Sequence, residues 1–246
     1  LVLPLAAALV LWGCLTAINL IVGYLIESRE RRQLARVFGT YVPPELVHEM
    51  VKRPGAYSMQ ASARELTVIF CDLQGFTQVS EHMDPTEVQV LLNNLFTHLT
   101  EVIYAHGGTV DKYMGDCVMA FWGAPMACED HADRATHAAM AIQERVKTLN
   151  AARRIEGRPP IRVCIGVNTG VMAVGDMGSN LRRSYTVIGD AVNLASRIES
   201  LTRVYGFNIV AGERTTVLSF EFLWQHVDRV QVKGRAQLED IYTPIS

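Results

Sequence analysis

From about residue 64 onward, the spacing of apolar and polar positions changes back and forth between the period typical of strands and the period typical of helices. Residues 65–71 (ELTVIFC) form a short apolar run rich in β-branched side chains, which predicts a buried strand. Residues 108–123 predict a β-hairpin whose turn is centred on Gly115 and Asp116. Between these segments, apolar side chains at helical spacing predict a helix over about residues 85–106.

The remaining pattern predicts two more long helices among several short strands, and Asp84 is placed to cap the first helix. The further predicted elements are a helix over about 129–151, two strands around Gly170 within 161–178, a helix over 190–205, a strand at 207–210, a short helix over 213–219, and a closing pair of strands at 222–234 and 238–245. The order β-α-β-β-α-β, followed by β-α-β-β, predicts an α+β sandwich with a ferredoxin-like βαββαβ core and a mixed sheet.

Residues 1–26 differ from the rest of the chain because they are apolar and carry no charge. As a helix they would extend about 39 Å at roughly 1.5 Å per residue, enough to span a bilayer with some tilt. A signal peptide is the alternative, but the segment lacks an initiator methionine, a basic n-region and a small-residue cleavage site. We therefore predict a transmembrane helix, the last span of a longer membrane region. Arg29, Arg31 and Arg32 then place the remainder on the cytoplasmic side.

Residues 27–63 are charged and then amphipathic, with a break at Pro43 and Pro44. Apolar side chains at helical spacing occur on both sides of this break, and such stripes need a partner to cover them. We predict a helical, dimerising connector and linker here, followed by a catalytic domain at residues 64–246. A plain spacer is the alternative interpretation of the connector.

Composition narrows the class of function. The 246 residues carry 23 Lys and Arg against 25 Asp and Glu, with no basic stripe and no RNP or zinc-type motif, so nothing indicates nucleic-acid binding. The five cysteines are scattered, odd in number and form no CxxC motif, which is typical of a reduced cytosolic domain. The seven histidines form no HExxH or similar ligand set.

Two acidic residues stand beside glycines at the ends of predicted strands. Asp72 follows the first strand and Asp116 lies in the hairpin turn, so neighbouring strands would bring both carboxylates to one sheet edge. With no lysine counter-ion beside them they would repel, unless a hard dication lay between them, and oxygen ligands suit Mg²⁺ or Mn²⁺. The backbone N–H groups of Gly75, Phe76 and Thr77 are placed to cradle a phosphate. Each aspartate alone is more simply a turn residue or cap; together they favour two-metal phosphoryl chemistry.

The predicted helix over residues 190–205 carries a second polar pair. Asn193 and Arg197 lie one turn apart, opposite the apolar face of this helix. A solvated polar face is the ordinary interpretation of such a pair. Next to the Gly189 turn, however, the pair suits a hydrogen bond to a ribose oxygen and a charge clamp on a phosphate.

Four motifs in this order resemble the class III nucleotide cyclases, in the bacterial membrane-anchored adenylate cyclase branch. They are FCDLQGFT, DKYMGDCVMAFWG, YTVIGDAVNLASR and a VKG near the end. The resemblance covers about three-quarters of the chain, from Glu65 to Pro244. The segment FGTYVPPELV also resembles the connector that follows the membrane sensor region in such cyclases.

The resemblance implies catalytic roles for the matching positions. Asp72 and Asp116 would bind the metals, together with the backbone carbonyl of Leu73. Asn193 and Arg197 would orient the ribose and stabilise the transition state. The implied reaction is attack of the ribose 3′-oxygen on the α-phosphorus of ATP, which yields 3′,5′-cyclic AMP and pyrophosphate with two Mg²⁺ or Mn²⁺ ions per site.

The resemblance also implies which purine is read. Lys112 and Thr186 would read adenine, and Lys233 would hold the terminal phosphates. Many family members carry Asp where Thr186 stands, but Thr occurs in a bacterial subgroup and can still accept a hydrogen bond from the adenine amino group. Guanylate cyclases of the family carry Glu and Cys at these two places, so this chain is expected to prefer ATP. Arg182 and Arg183 are either further phosphate contacts or part of a solvated loop.

The family's assembly implies that one chain holds half of a site. The metal-binding aspartates would come from one protomer and the purine- and ribose-binding residues from its two-fold mate, in a homodimer with two equivalent sites. The membrane segment and connector would align the protomers, so a signal received upstream would rotate or separate them. The enzyme would then lie in the inner or plasma membrane with its catalytic domain in the cytoplasm.

Three other functions are weaker alternatives. A catalytically silent cyclase-like module would keep the fold, but all the matched positions are occupied here. A diguanylate cyclase would carry a GGDEF-like hairpin, and KYMGD stands in that place. A P-loop ATPase would carry GK[ST], which the glycine-containing segment GVMAVGDMG lacks.

Overall fold

The computed structural model describes residues 11–23, 61–76, 80–81, 83–179, 183–232 and 237–245. Residues 11–23 form a helix, α1, whose residues are all exposed. Among the described residues, no helix combines the length and apolar character needed to cross a bilayer. The predicted span at residues 1–26 is therefore described only in part, and nearly all of the predicted connector lies outside the described residues.

From residue 62 onward, strands and helices alternate as the pattern predicted, except between residues 161 and 188. The elements are β1 (Ser62–Leu73), α2 (Pro85–Ala105), β2 (Thr109–Met114), β3 (Cys117–Trp122), α3 (His131–Ile155), β4 (Val163–Gly178), β5 (Arg183–Ile188), α4 (Asp190–Tyr205), β6 (Ile209–Gly212), α5 (Glu213–Leu218), β7 (Leu223–Gln231) and β8 (Leu238–Ile245). The hairpin turn at Gly115 and Asp116 is confirmed, as is the Asp84 cap, whose carboxylate accepts a hydrogen bond from Thr86 N–H at 2.8 Å.

One sheet joins all eight strands in the order β2-β3-β1-β4-β6-β8-β7, with β5 paired to β4. The first four strands pair antiparallel, and β1 runs beside β4 from Ser62↔Val174 to Leu73↔Val163. The pair β4–β6 is parallel, so the sheet is mixed. The predicted α+β architecture, with a βαββαβ core and a mixed sheet, is confirmed.

Strand β1 buries side chains on both of its faces. Ile69 and Cys71 pack into a cluster with α2 and α3, while Val68 and Phe70 pack into a second cluster with β5 and α4. Each such fully buried aliphatic side chain contributes roughly 1.5–3 kcal/mol to stability. Burial on both faces explains why the sequence of this strand appears continuously apolar. It also fixes the position of Asp72 near the end of the strand.

Two strand predictions between residues 161 and 188 were wrong. Residues 163–178 form one long strand, not two strands around Gly170, and β5 was not predicted. Gly170 does not turn the chain: it pairs with Leu66, and a Cβ at this position would lie 2.8 Å from the Cβ of Ala191. The glycine is there to let α4 approach the sheet.

Helix α4 lies so close to β4 that a second position also excludes a side chain. A Cβ at Gly166 would lie 2.4 Å from the backbone nitrogen of Glu199. The helix therefore rests directly on the strand backbone. This contact sets the position of every functional residue that α4 carries.

Candidate active site

Asp72 and Asp116 meet at one edge of the sheet. Asp72 is near the end of β1, and the pairing of Cys71 with Val118 brings the turn of the β2–β3 hairpin beside it. An open cleft of about 440 Å³ lies at this edge, lined by Asp72, Leu73, Gln74, Gly75, Phe76, Asp116 and Arg203. The structure thus brings together the three residues predicted as metal ligands, including Leu73.

The electrostatics of this cleft suit a divalent cation. Burial raises the pKa of Asp116, and the negative charge of Asp72 raises it further. The described residues include no group of three or more His, Cys, Asp and Glu side chains that could hold a metal. Two carboxylates plus a backbone carbonyl leave positions open for water and phosphate oxygens, as Mg²⁺ sites commonly do.

A positively charged side chain that the sequence did not predict lies in this cleft. Arg203, near the end of α4, forms an ion pair with Asp72 and donates a hydrogen bond to Glu199 at 3.1 Å. The sequence analysis considered only a neighbouring lysine as counter-ion, and the structure supplies an arginine from a distant part of the chain. Burial raises the pKa of Glu199 to about 7, although Arg203 opposes this shift. The i, i+4 spacing of Glu199 and Arg203 was the only local signal of this cluster.

The loop after Asp72 turns at Gly75, whose φ of 73° favours glycine. Gln74 N–H donates a hydrogen bond to Arg162 O at 2.8 Å, and the half-buried Phe76 packs against the core below. The loop is thus anchored on both sides of Gly75. Thr77 lies outside the described residues, and phosphate binding by this loop stays a prediction.

Lys112 and Thr186, the predicted adenine-reading residues, lie together although 74 positions separate them. Lys112 Nζ donates a hydrogen bond to Thr186 Oγ1 at 3.3 Å. Lys112 is on β2 and half exposed, whereas Thr186 is on β5 and buried. The β-branched segment TVI at residues 186–188 was a sequence signal for strand β5, although this strand was not predicted.

Asp111 is a further polar residue beside this pair that sequence reasoning missed. It is 3% exposed, and its Oδ2 accepts hydrogen bonds from Thr186 Oγ1 at 2.5 Å and from Val187 N–H at 3.3 Å. A register shift between Val110 and Lys112 marks a bulge in β2. The period of two would send Asp111 and Lys112 to opposite faces, and the bulge relaxes this rule.

Asn193 and Arg197 lie on the outer face of α4, as predicted. Asn193 is exposed and Arg197 is half-buried, whereas Leu194, Ala195 and Ile198 are buried. Neither polar residue lines the aspartate cleft of the same chain. Within one chain, the predicted site residues therefore form separate groups.

The remaining basic candidates are Lys233, predicted to bind phosphate, and Arg182 and Arg183, whose role was left open. Lys233 and Arg182 lie outside the described residues. Arg183, which is described, forms an ion pair with Asp176 at 3.2 Å across the β4–β5 pair. Its charge is thus matched within the chain.

Comparison with known proteins agrees with this fold. The profile of the adenylate and guanylate cyclase catalytic domain matches residues 59–243. "Adenylate cyclase 1" of Rhizobium meliloti (strain 1021) is 36% identical over 206 residues, which are 83% of this chain and 31% of that protein. This chain therefore spans about a third of the length of that relative.

Two solved structures are similar along most of their length. The adenylyl cyclase CyaB from P. aeruginosa is 33% identical with a TM-score of 0.71, over 76% of this chain and 96% of that one. The guanylyl cyclase Cya2 is 34% identical with a TM-score of 0.68, over 76% of this chain and 94% of that one. Both nucleotide specificities thus occur on this backbone. This chain belongs to the adenylate and guanylate cyclase catalytic domain family, the class III nucleotide cyclases.

Proposed function

We propose that this chain is an adenylate cyclase that converts ATP to 3′,5′-cyclic AMP and pyrophosphate. The contact between Lys112 Nζ and Thr186 Oγ1, 3.3 Å apart, carries the choice of purine. An ammonium group donates hydrogen bonds, and a hydroxyl oxygen can accept them. Adenine offers the matching groups, an accepting N1 beside a donating 6-amino group, whereas guanine offers them in reverse.

Asp72, Asp116 and the backbone carbonyl of Leu73 would hold two Mg²⁺ or Mn²⁺ ions. When bound, these ions lower the pKa of the ribose 3′-hydroxyl and neutralise charge on the phosphates. The backbone N–H groups of Gly75, Phe76 and Thr77 would donate hydrogen bonds to phosphate oxygens beside these ions.

The residues on α4 supply the remaining functions. Arg197 would face the charge that develops at the α-phosphate, and Asn193 would orient the ribose. Removing one such positioned donor typically costs about 10²–10³ in rate. Lys233 would hold the terminal phosphates.

The separation of the site residues supports sites shared across a two-fold homodimer. The aspartate cleft excludes Asn193 and Arg197 of its own chain, and Asn193 is exposed on the outer face of α4. A second copy can complete each site if its α4 face meets this cleft. Two equivalent sites per dimer would result.

A membrane location and control by an upstream signal complete the proposal. The exposed residues of α1 include the large apolar side chains of Leu11, Trp12 and Leu20. Uncharged residues 1–26 would anchor the chain in the inner or plasma membrane, with the catalytic domain in the cytoplasm. Through the connector, a signal would alter the alignment of the two protomers.

Incubation of the purified chain with ATP or GTP, each with Mg²⁺ and with Mn²⁺, tests the proposed activity. We expect cyclic AMP as the main product and its loss in Asp72→Asn. Preferential formation of cyclic GMP would contradict the purine assignment. Nucleotide binding without any cyclic product would instead identify a silent module.

A further inference from the structure

We infer that Asp111 is a positioning residue that sets the preference for ATP, because it holds the hydroxyl proton of Thr186. This inference rests on the proposed function and names a third member of the purine-reading group. Asp111 contacts no purine itself and would act through its contacts with Thr186 and Lys112.

The position of Asp111 determines which atom receives the hydroxyl proton of Thr186. The Asp111 side chain is fully buried, and its Oδ2 lies 2.5 Å from Thr186 Oγ1. Val187 N–H also donates to Oδ2, at 3.3 Å, and so fixes that oxygen in place. A carboxylate can only accept, so the hydroxyl must be the donor in this contact.

A threonine hydroxyl has a single proton, and this contact uses it. The oxygen of Thr186 then has only lone pairs left to offer to a ligand. Lys112 Nζ donates to one of them at 3.3 Å. A remaining lone pair can accept the 6-amino group of adenine, but it repels the O6 acceptor of guanine.

The second oxygen of Asp111 positions Lys112. This Oδ1 is buried and receives no hydrogen bond from the described residues, yet it lies 3.2 Å from Lys112 Nζ. The attraction between these charges keeps the ammonium group beside Thr186. One buried carboxylate therefore orders both the donor and the acceptor of the pair.

Without Asp111, the Thr186 hydroxyl is free to rotate and to donate toward a ligand. It can then satisfy guanine O6, so discrimination between the purines weakens. In Asp111→Ala we expect the ratio of kcat/KM for ATP to that for GTP to fall about tenfold, as for a lost hydrogen bond. The change should lie mainly in KM, since no reacting atom is touched.

Asp133→Ala is a matched control. Asp133 is also a buried acid, 8% exposed, and accepts hydrogen bonds from Ser219 Oγ at 2.9 Å and from Glu221 N–H at 3.1 Å. Its loss should destabilise the fold similarly while leaving the ATP/GTP ratio unchanged. Asp111→Leu keeps a similar side-chain shape without any hydrogen-bond acceptor, and it is the variant to measure if Asp111→Ala does not fold.

A double-mutant cycle separates action through Thr186 from a structural effect. In a Thr186→Val background, which has no hydroxyl, the substitution of Asp111 should lower the ATP/GTP ratio by less than in the wild-type background, because only the contact with Lys112 remains to be lost. An unchanged ratio in folded Asp111→Ala or Asp111→Leu would overturn the inference, and so would an equal fall in both backgrounds. If the wild-type chain forms no cyclic nucleotide, the proposed function fails instead, which is a distinct result.

Discussion

Arg203 on α4 forms an ion pair with Asp72 at the end of β1, although 131 positions separate the two residues. The pair places a guanidinium in the cleft where Asp72 and Asp116 are expected to bind cations. A divalent cation bound in this cleft would therefore compete with Arg203 for the same carboxylate. The contact also links the end of α4 to the sheet edge.

Replacing Arg203 with Met should therefore strengthen binding of Mn²⁺. A partly exposed ion pair contributes up to about 1 kcal/mol, which corresponds to roughly fivefold in affinity. Titration calorimetry, or the thermal shift caused by Mn²⁺ without nucleotide, measures this change. Arg214→Met is the control, because it removes an ion pair with Glu65 outside the cleft. Unchanged or weaker binding of Mn²⁺ by Arg203→Met would show that Arg203 does not compete.

If each site is shared between two protomers, mixing two inactive variants should restore activity. Asp72→Ala and Asn193→Ala should each be nearly inactive alone, because every site then lacks one essential group. At a 1:1 ratio, mixed dimers contain one intact site, so roughly a quarter of wild-type activity should return. Mixing Asp72→Ala with Asp116→Ala should restore none, since both lesions affect the same half of a site. Equal activity in the two mixtures would argue against shared sites.

Exchange of the purine-reading pair should change the preferred nucleotide. Lys112→Glu combined with Thr186→Cys replaces a donor beside an acceptor with the residues found in guanylate cyclases of the family. We expect the ratio of kcat/KM for ATP to that for GTP to fall by roughly 100-fold, because a mismatched site leaves buried polar groups unpaired. Unchanged selectivity for ATP would show that these residues do not read the base.

Because α4 lies so close to β4, a single methyl group added at Gly166 should strongly lower the stability of the fold. Gly166→Ala would place a Cβ 2.4 Å from backbone nitrogen, so α4 must move at a cost of about 3 kcal/mol. Gly157→Ala is a useful comparison, because its φ of 70° adds backbone strain of about 1–2 kcal/mol with no atom within 4 Å. Urea unfolding measures both variants. A smaller loss of stability in Gly166→Ala than in Gly157→Ala would contradict the contact.

A buried histidine predicts how stability depends on pH. His131 Nδ1 lies 2.8 Å from Thr67 Oγ1, and burial lowers the pKa of His131 below 6.5, although Glu65 opposes the shift. At pH values between the pKa of His131 in the folded chain and that in the unfolded chain, the unfolded chain binds the proton of this histidine more readily. The free energy of unfolding therefore falls as the pH drops through 6.5. The slope from this residue cannot exceed about 1.4 kcal/mol per pH unit.

His131→Asn keeps a hydrogen-bonding group near Thr67 but removes the titration. Urea unfolding between pH 5.5 and 7.5 should show a shallower pH dependence for this variant than for wild type. Parallel curves for wild type and His131→Asn would show that His131 is protonated alike in both states.

Features that depend on local repeats could be predicted from sequence. The predicted bounds of α4 match the structure, α2 ends within one residue of its prediction, and the two-residue hairpin turn is correct. These succeed because the periods of strands and helices, and the conformational freedom of glycine at turns, act over a few neighbouring residues. Asp72 and Asp116 could be paired for the same reason, since only one further strand contact had to be assumed.

Residue types and their spacing were thus enough to identify the family and the fold class, and to predict aspartate, lysine, asparagine and arginine residues for the candidate site. Folding added what no local pattern contains. Arg203 reaches Asp72 from a distant helix, the bulge in β2 lets Asp111 and Lys112 both reach Thr186, and Gly170 serves close packing rather than a turn. The physical reason is that hydrogen bonds, ion pairs and steric contacts act between neighbours in space, which are set only when the sheet and its helices assemble.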